Sequence, residues 1–172
     1  MFDWFKTKQA KSRVDPVIGL DSPRLTLEVR EKLRGRVMRV PGLSDEDSAR
    51  LFQAGLKAVA KGGDMRTFAL EAGPCDKLSS WQFTTLGNDM CRIASSIETK
   101  ANLLRAGITT ATWQYTSGGC CGGDPEVDAL HRSLSGRQFS LKDGMKVGKR
   151  HIFPAQEDEC RCRAVPVILD DD

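Results

Sequence analysis

The chain has 172 residues, which suffices for one domain with a hydrophobic core but is short for two domains of ordinary size. Its 26 basic and 23 acidic side chains give a net charge of +3, too small to indicate a nucleic-acid-binding protein by itself. No run in the sequence approaches the roughly 20 apolar residues that a membrane span requires, and we expect no membrane partner.

The first residues are predicted to form an extended arm. Residues 1–22 mix basic and aromatic side chains with proline and glycine, a composition that favours an arm over a packed element. Ten basic but only five acidic side chains lie in residues 1–40, so the positive surplus is N-terminal. The arm could dock on a partner or fold back on its own core. Its candidate partner-binding residues are Phe2, Trp4, Phe5, Lys6, Lys8, Lys11 and Arg13.

The first two helices are marked by their ends. One is predicted to start at Thr26 and to be stopped by Pro41-Gly42. The next starts at Ser44, which can form a capping interaction with Asp47, and it ends at Gly62-Gly63. The apolar residues expected on the buried sides of these two helices are Leu27, Leu33, Val37, Leu51, Phe52, Leu56 and Val59.

Two further helices complete a helical part. Asp64 is a candidate cap for a short third helix that continues through Leu70. Residues 79–106 predict one long helix, or two joined near Gly87, and Cys91 within it is expected to be a small buried hydrophobe. The apolar residues that recur there at roughly helical spacing are Trp81, Phe83, Leu86, Met90, Ile93, Ile97, Ala101 and Leu104.

The pattern then changes to short strands. Thr109–Thr116 is β-branched and aromatic with an alternation typical of a half-buried strand. A glycine-rich loop, a helical turn holding His131, a strand over 137–141, a basic loop over 142–150 and a closing strand over 163–169 are predicted to follow.

Helices first and strands later predict an α+β fold, in which N-terminal helices pack on a small C-terminal antiparallel sheet. We divide the chain into the arm (1–22), a helical part (23–108) and a β-rich part (109–172) that contains a His/Cys cluster. Residues 23–172 are expected to form one domain.

A possible metal site lies in the β-rich part. Because the first residues lack the apolar core of a signal peptide, we expect synthesis in a reducing cytoplasm, where clustered cysteines are metal ligands or buried thiols before disulfides. Four protein ligands would make a structural zinc site, whereas buried thiols beside a hydrogen-bonded histidine are the alternative. The candidate ligands are His131, Cys160 and Cys162, with Asp128, Cys120 or Cys121 as the fourth.

Enzymatic interpretations are weaker. Cys120 or Cys121 could act as a nucleophile with His131 as base, but the sequence supplies nothing to orient the histidine. A nuclease would need His151 and its basic neighbours to converge with an acidic partner, and no spacing indicates this. A metal-stabilised DNA-binding module is also disfavoured, because the sequence has no base-reading motifs. We therefore expect no catalytic residues, no small-molecule substrate and no cofactor besides one zinc ion.

Six short motifs follow one another within residues 90–168. Their order resembles the phage head-morphogenesis, or Mu F-like minor head protein, family of tailed bacteriophages and prophages. In relatives with Cys-Pro-x-Cys, the two cysteines fall at Asp128 and His131, which is why Asp128 is a candidate ligand. The motifs are Ala106-Gly107-Ile108, Trp113-Gln114-Tyr115-Thr116, His131, Leu134-Ser135-Gly136-Arg137-Gln138-Phe139, Pro154 and Cys160-Arg161-Cys162-Arg163-Ala164-Val165-Pro166.

The chain departs from the family pattern in two places. Ser95-Ser96-Ile97-Glu98 stands where relatives have Arg-Thr-Glu, and an insertion that carries Cys120-Cys121 lies between Thr116 and His131. Both departures make the transfer of individual residues less secure than the transfer of the fold.

The resemblance implies a minor capsid protein of the virion, associated with the portal and acting in head morphogenesis and in genome packaging, retention or delivery. Portal protein and major capsid protein are the expected partners, with packaged double-stranded DNA as a further one. The expected location is the head interior or portal region of a particle assembled in the host cytoplasm. A head-to-tail connector is the alternative within the virion.

Overall fold

The computed structural model describes residues 22–116 and 120–168 of the chain. Within these ranges four helices precede the first strand and a fifth lies between the first two strands, so the predicted α+β fold is confirmed. None of the helices in these ranges is long and apolar enough to cross a membrane. The elements are α1 Leu27–Met38, α2 Asp45–Ala60, α3 Met65–Ala72, α4 Ser80–Arg105, β1 Thr110–Gln114, α5 Pro125–Ser133, β2 Gln138–Ser140, β3 Met145–Val147, β4 Arg150–Ile152 and β5 Arg163–Pro166.

Side-chain caps fix where the first four helices begin. Thr26 accepts the N–H of Val29 at the start of α1, and Ser44 accepts that of Asp47 at the start of α2. Asp64 caps α3 and Ser79 caps α4 in the same way. Because each cap satisfies an N–H group that the helix cannot satisfy itself, these polar residues set the helix starts.

Helices α1–α4 enclose one hydrophobic core. The stripes predicted for α2 are buried, and α1 buries Val29, Leu33 and Val37 at four-residue spacing. Leu27, which was expected on the buried side of α1, is 73 % exposed, and so is Leu70 on α3. Each lies two residues from a buried neighbour, Val29 or Phe68, and so points about 200° away around the helix.

Two predictions for α4 need correction. Trp81 is 66 % exposed, because it lies five residues from buried Leu86 and so about 140° away around the helix. Cys91, expected to be buried, is only half-buried and packs against the edge of the core. Of the two alternatives predicted for residues 79–106, the structure has the single long helix, since α4 runs unbroken through Gly87. A Cβ at that position would lie 2.6 Å from side-chain carbons of both Met65 and Phe68, so the glycine allows α3 to approach α4.

The β-rich part contains two small antiparallel sheets. The first has the strand order β2-β1-β5, with Ala111 opposite Phe139 on one side and Trp113 opposite Ala164 on the other. The second is the β3-β4 hairpin, in a segment that the sequence predicted to be a basic loop. Gly148, with a φ of 58°, allows the two-residue turn, and the charged residues around it hide the alternation of Met145, Val147 and Ile152.

A second core lies beneath the three-stranded sheet. It is built from apolar side chains of the strands, from Leu134 at the end of α5, and from three buried cysteines. Trp113 is at its centre and is fully buried. The His/Cys cluster predicted from the sequence is therefore part of the packing of the β-rich part. The buried members of this core are Ala111, Trp113, Cys120, Leu134, Phe139, Leu141, Met145, Ile152, Cys160 and Cys162.

Candidate metal centre

Cys120 and Cys121 come from the glycine-rich loop between β1 and α5. Cys121 has a φ of 61°, in the left-handed region that residues with a side chain rarely adopt, and it starts the 3-10 turn Cys121–Gly123. Its N–H donates to the carbonyl of Glu159 at 3.1 Å. This bond ties the loop to the segment that carries Cys160, so that the two cysteine-bearing segments lie side by side.

His131 is presented by the last turn of α5. The helix begins with Pro125 at its first position, and the Asp124 side chain accepts the first N–H groups. His131 is 1 % exposed, and its ring packs edge-on against Trp113 with a centroid distance of 5.2 Å. The tryptophan therefore fixes the plane of the imidazole, whose Nδ1 faces the cysteine sulfurs.

Cys160 lies in a tight turn that directs two backbone N–H groups at its sulfur. Its Sγ accepts the N–H of Ala155 at 3.4 Å, and the N–H of Cys162 also donates to this sulfur. Hydrogen bonds of this kind stabilise the charged form of the thiol. Glu159, with a φ of 54°, makes the turn that brings Cys160 back towards the histidine.

Four sulfurs surround Nδ1 of His131. The distances are 3.2 Å to Cys121, 3.4 Å to Cys120, 3.5 Å to Cys160 and 3.8 Å to Cys162. The ligand atoms of Cys120, Cys121, His131 and Cys160 all lie within 4.8 Å of one another. A tetrahedral zinc ion needs S···N spacings of about 3.5 Å and S···S spacings of about 3.8 Å. The cluster could therefore hold one metal ion of this size with small side-chain shifts.

The structure brings together five of the six predicted ligands. Cys120 and Cys121, named only as alternatives, belong to the compact group of four, and Cys162 lies beside it with its Sγ 3.7 Å from that of Cys120. Asp128 does not join them. Its carboxylate accepts hydrogen bonds from Tyr115 Oη at 2.8 Å and from Arg132 at 2.9 Å.

Asp128 has a supporting position instead. Its carboxylate also accepts the backbone N–H of Cys120, which links the cysteine loop to α5. The hydrogen bond from Tyr115, together with that from Arg132, holds the pKa of Asp128 below its ordinary value. The carboxylate is therefore ionised at neutral pH and orients the loop without reaching the cluster.

The thiols of Cys160 and Cys162 are protonated at neutral pH unless a cation balances them. Contact with Cys121, followed by burial, raises the pKa of Cys160 well above its ordinary value. Contact with Cys160, followed by burial, raises the pKa of Cys162 to about 12. Protonated thiols are weak nucleophiles, whereas a bound divalent ion displaces their protons. The arrangement suits metal ligation better than thiol catalysis.

A buried ion-pair network, which the sequence reasoning missed, fastens the centre to the helical part. Asp89 on α4 is 1 % exposed and accepts from Arg36 Nε at 3.0 Å, from Arg92 at 2.8 Å and from the Glu159 N–H at 3.1 Å. Arg92 also donates to the carbonyl of Cys160 at 3.0 Å. The one local signal was an aspartate next to Met90 in an otherwise apolar stripe, with an arginine three residues later.

The network continues one turn along α4. Ser96 donates its hydroxyl to the carbonyl of Pro154 at 2.7 Å, within the proline-containing motif of the resemblance. Arg39 on the other side forms a two-bond ion pair with Asp158, at 2.7 and 2.6 Å. The segment 154–160 is thus held at both ends by helices.

The remaining predicted site residues belong to the segment that the sequence predicts to be an arm. Phe2, Trp4, Phe5, Lys6, Lys8, Lys11 and Arg13 lie outside the described residues, so their role stays a prediction.

Comparison with known proteins adds no neighbour to this picture. The chain matches no protein-family model, no curated protein and no solved structure. What is established is a class of site: a buried cluster of one histidine and three cysteines, in an α+β protein, that could hold a metal ion.

Proposed function

We propose that this protein is a non-enzymatic minor head protein of a tailed phage or prophage, associated with the portal and built around a structural zinc centre. One observation carries the proposal. The residues on which the family resemblance depends, among them Trp113, Leu134, Phe139 and Cys160, are buried together in a single core around His131. An ordered set of motifs that converges on one core is expected of a shared fold.

The zinc ligands in this proposal are Cys120, His131, Cys160 and Cys162. Two S···S distances distinguish Cys162 from Cys121 as the fourth ligand. Cys120 lies 3.7 Å from Cys162, close to the roughly 3.8 Å edge of a zinc tetrahedron, but only 3.1 Å from Cys121. Although Cys121 fits the compact group of four, its sulfur is too close to its neighbour for both to bind one ion without movement. The S···S spacing therefore favours Cys162.

The absence of an open position supports a structural role. Cys120 and Cys160 are fully buried, and His131 and Cys162 are each 1 % exposed. A zinc ion with four protein ligands has no site for substrate or water, unlike a catalytic zinc ion with three. When bound, the ion would supply cross-linking of the loop, α5 and the segment before β5.

Metal analysis of purified protein tests this centre. We expect about one equivalent of zinc in the unmodified protein and in Cys121→Ser, and well below one in Cys162→Ser. Cys75→Ser is the matched control, because Cys75 packs against the helical core. Zinc content far below one equivalent in the unmodified protein would contradict the metal proposal. Loss of zinc in Cys121→Ser but not in Cys162→Ser would show that Cys121, and not Cys162, is the fourth ligand.

The head assignment is tested by association with particles. We expect purified protein to be retained by a portal protein and by procapsids, and to lose much of this binding when residues 1–22 are removed. Undiminished binding after truncation would show that residues 1–22 do not contribute to portal binding. A closed ring of copies at the portal vertex would indicate the connector alternative instead.

DNA assays separate the remaining alternatives. Strongly salt-dependent binding to duplex DNA without portal association would indicate a DNA-binding module. Cleavage of plasmid DNA in the presence of a divalent metal would indicate a nuclease. We expect neither result. Instead, we expect the protein to remain bound to the portal at moderate salt.

A further inference from the structure

A basic cleft lies between α4 and the edge of the three-stranded sheet. Its volume is about 520 Å³, within the range of clefts that hold a ligand or a short peptide segment. Leu141, Phe153 and Pro154 give it an apolar floor. It shares Cys162 with the His/Cys cluster, but the Sγ of this residue lies 3.8 Å from Nδ1 of His131 and the side chain is 1 % exposed, so the other lining residues form the binding surface.

The charge of the cleft is entirely positive. Arg92, Lys100, Arg161 and Arg163 line it, and no carboxylate does. Arg92 and Lys100 are partly neutralised by Asp89 and Glu28. Arg161 and Arg163 are exposed and form no ion pair within the described part of the chain. Within the described residues, these two guanidinium groups are therefore available to an anionic partner.

These two arginines have the spacing of a β-strand. Cys160 and Cys162 are buried while Arg161 and Arg163 are exposed, so the segment alternates as an extended chain does. Alternate residues of an extended chain lie about 6.6 to 6.8 Å apart. Alternate carboxylates of an extended peptide lying alongside would have the same spacing.

The backbone beside them is open for pairing. Strand β5 is at the edge of its sheet. Val167 donates its N–H to the carbonyl of Thr110, and because backbone groups alternate in direction along a strand, those of Arg163 and Val165 also point towards β1. The N–H and C=O of Ala164 therefore point to the outer edge, and Ala164 lines the cleft. Pro166 has no N–H, which confines pairing to the residues before it.

We propose that this cleft binds an extended acidic segment of a partner protein, which pairs with the outer edge of β5 and places alternate carboxylates on Arg161 and Arg163. Main-chain hydrogen bonds would supply affinity, and the charges would supply selectivity. The inference deepens the head-protein proposal and rests on it only for the identity of the partner.

Fluorescence anisotropy with an end-blocked, labelled peptide of alternating glutamate and valine tests the inference. We expect a Kd near or below about 100 µM, as suits a short peptide on a small interface. The variant Arg161→Glu/Arg163→Glu should bind at least tenfold more weakly, because its glutamates would repel those of the peptide. Arg66→Glu, an exposed charge reversal on α3, is the control and should bind as the unmodified protein does.

Peptide variants test the same inference on the unmodified protein, and so remain informative if the double variant does not fold. Glutamine in place of glutamate should weaken binding. Of two peptides N-methylated at alternate residues, only the one whose methyl groups face β5 should lose binding. Failure of the glutamate peptide to bind, or equal binding of both N-methylated peptides, would overturn the proposal.

The outcome is separable from that of the head proposal. Loss of portal association with intact peptide binding would overturn the head role alone. A single-stranded oligonucleotide that binds where the peptide does not, and depends on Arg161 and Arg163, would assign the cleft to nucleic acid and reject the peptide.

Discussion

Among the described residues, the core of the helical part contains eighteen buried hydrophobic side chains, sixteen of them on α1–α4, whereas the core of the β-rich part contains ten, of which three are cysteines. Its strands are three to five residues long, and short strands of this kind do not form a stable sheet by themselves. The helical part is therefore held by continuous apolar stripes. The β-rich part depends on its His/Cys cluster and on bonds to α4.

Metal removal is expected to have the largest effect on this contrast. For zinc-loaded protein, we expect chelation to lower the free energy of unfolding of the β-rich part by about 5 kcal/mol or more, because the ion links three separate segments. Hydrogen exchange should show loss of protection in β1, β2 and β5 while α2 and α4 stay protected. Equal loss of protection in both parts would show that they do not differ in this way.

The link between the two parts is the next target. Asp89→Ala removes the closest carboxylate from buried Arg36, which keeps only the longer pairs with Asp158 at 3.6 Å and Glu159 at 4.0 Å. We expect a loss at the lower end of about 3–5 kcal/mol in the free energy of unfolding, measured with urea. Glu98→Gln breaks the exposed pair with Arg24 and should cost about 0.5 kcal/mol or less. Similar effects of both substitutions would indicate that Asp89 does not anchor the centre.

A glycine substitution isolates the helical part. Gly87→Ala places a Cβ 2.6 Å from carbons of Met65 and Phe68, and overpacking of this kind costs about 1–3 kcal/mol. Gly35→Ala meets only the flexible end of Arg39 at 3.2 Å, so it should be neutral or slightly stabilising. Zinc content should be unchanged in both. A fall in zinc content in Gly87→Ala would mean that the helical core also shapes the cluster.

The smallest expected effect is that of Asp128→Asn, measured by thermal melting across pH. Hydrogen bonds from Tyr115 and Arg132 lower the pKa of Asp128 in the folded state, so its contribution is present above the ordinary pKa of 3.8 and is lost as pH falls through the lowered value. We expect a slightly lower Tm for the variant at neutral pH and convergence of the two proteins in acid. A difference that grows as pH falls would contradict this assignment.

Much of the helical part was predictable because its signals are local. Thr26, Ser44, Asp64 and Ser79 stand directly before the helices that they cap. The β3-β4 hairpin was missed because three-residue strands rich in lysine and arginine carry too little alternation to be distinguished from a loop. Their pairing depends on the turn at Gly148 and on neighbours that the local pattern does not contain.

The helix starts, the α+β order and the presence of metal-capable side chains around His131 follow from local sequence patterns. Which of these side chains meet depends on the tertiary structure. Cys120, His131 and Cys160 lie on three separate segments of the chain. They converge because Cys121 and Glu159 adopt left-handed backbone conformations, and because Asp89 accepts the N–H of Glu159 and so holds the turn before Cys160. Contacts of this kind depend on backbone turns and on partners distant in sequence, which neither composition nor periodicity specifies.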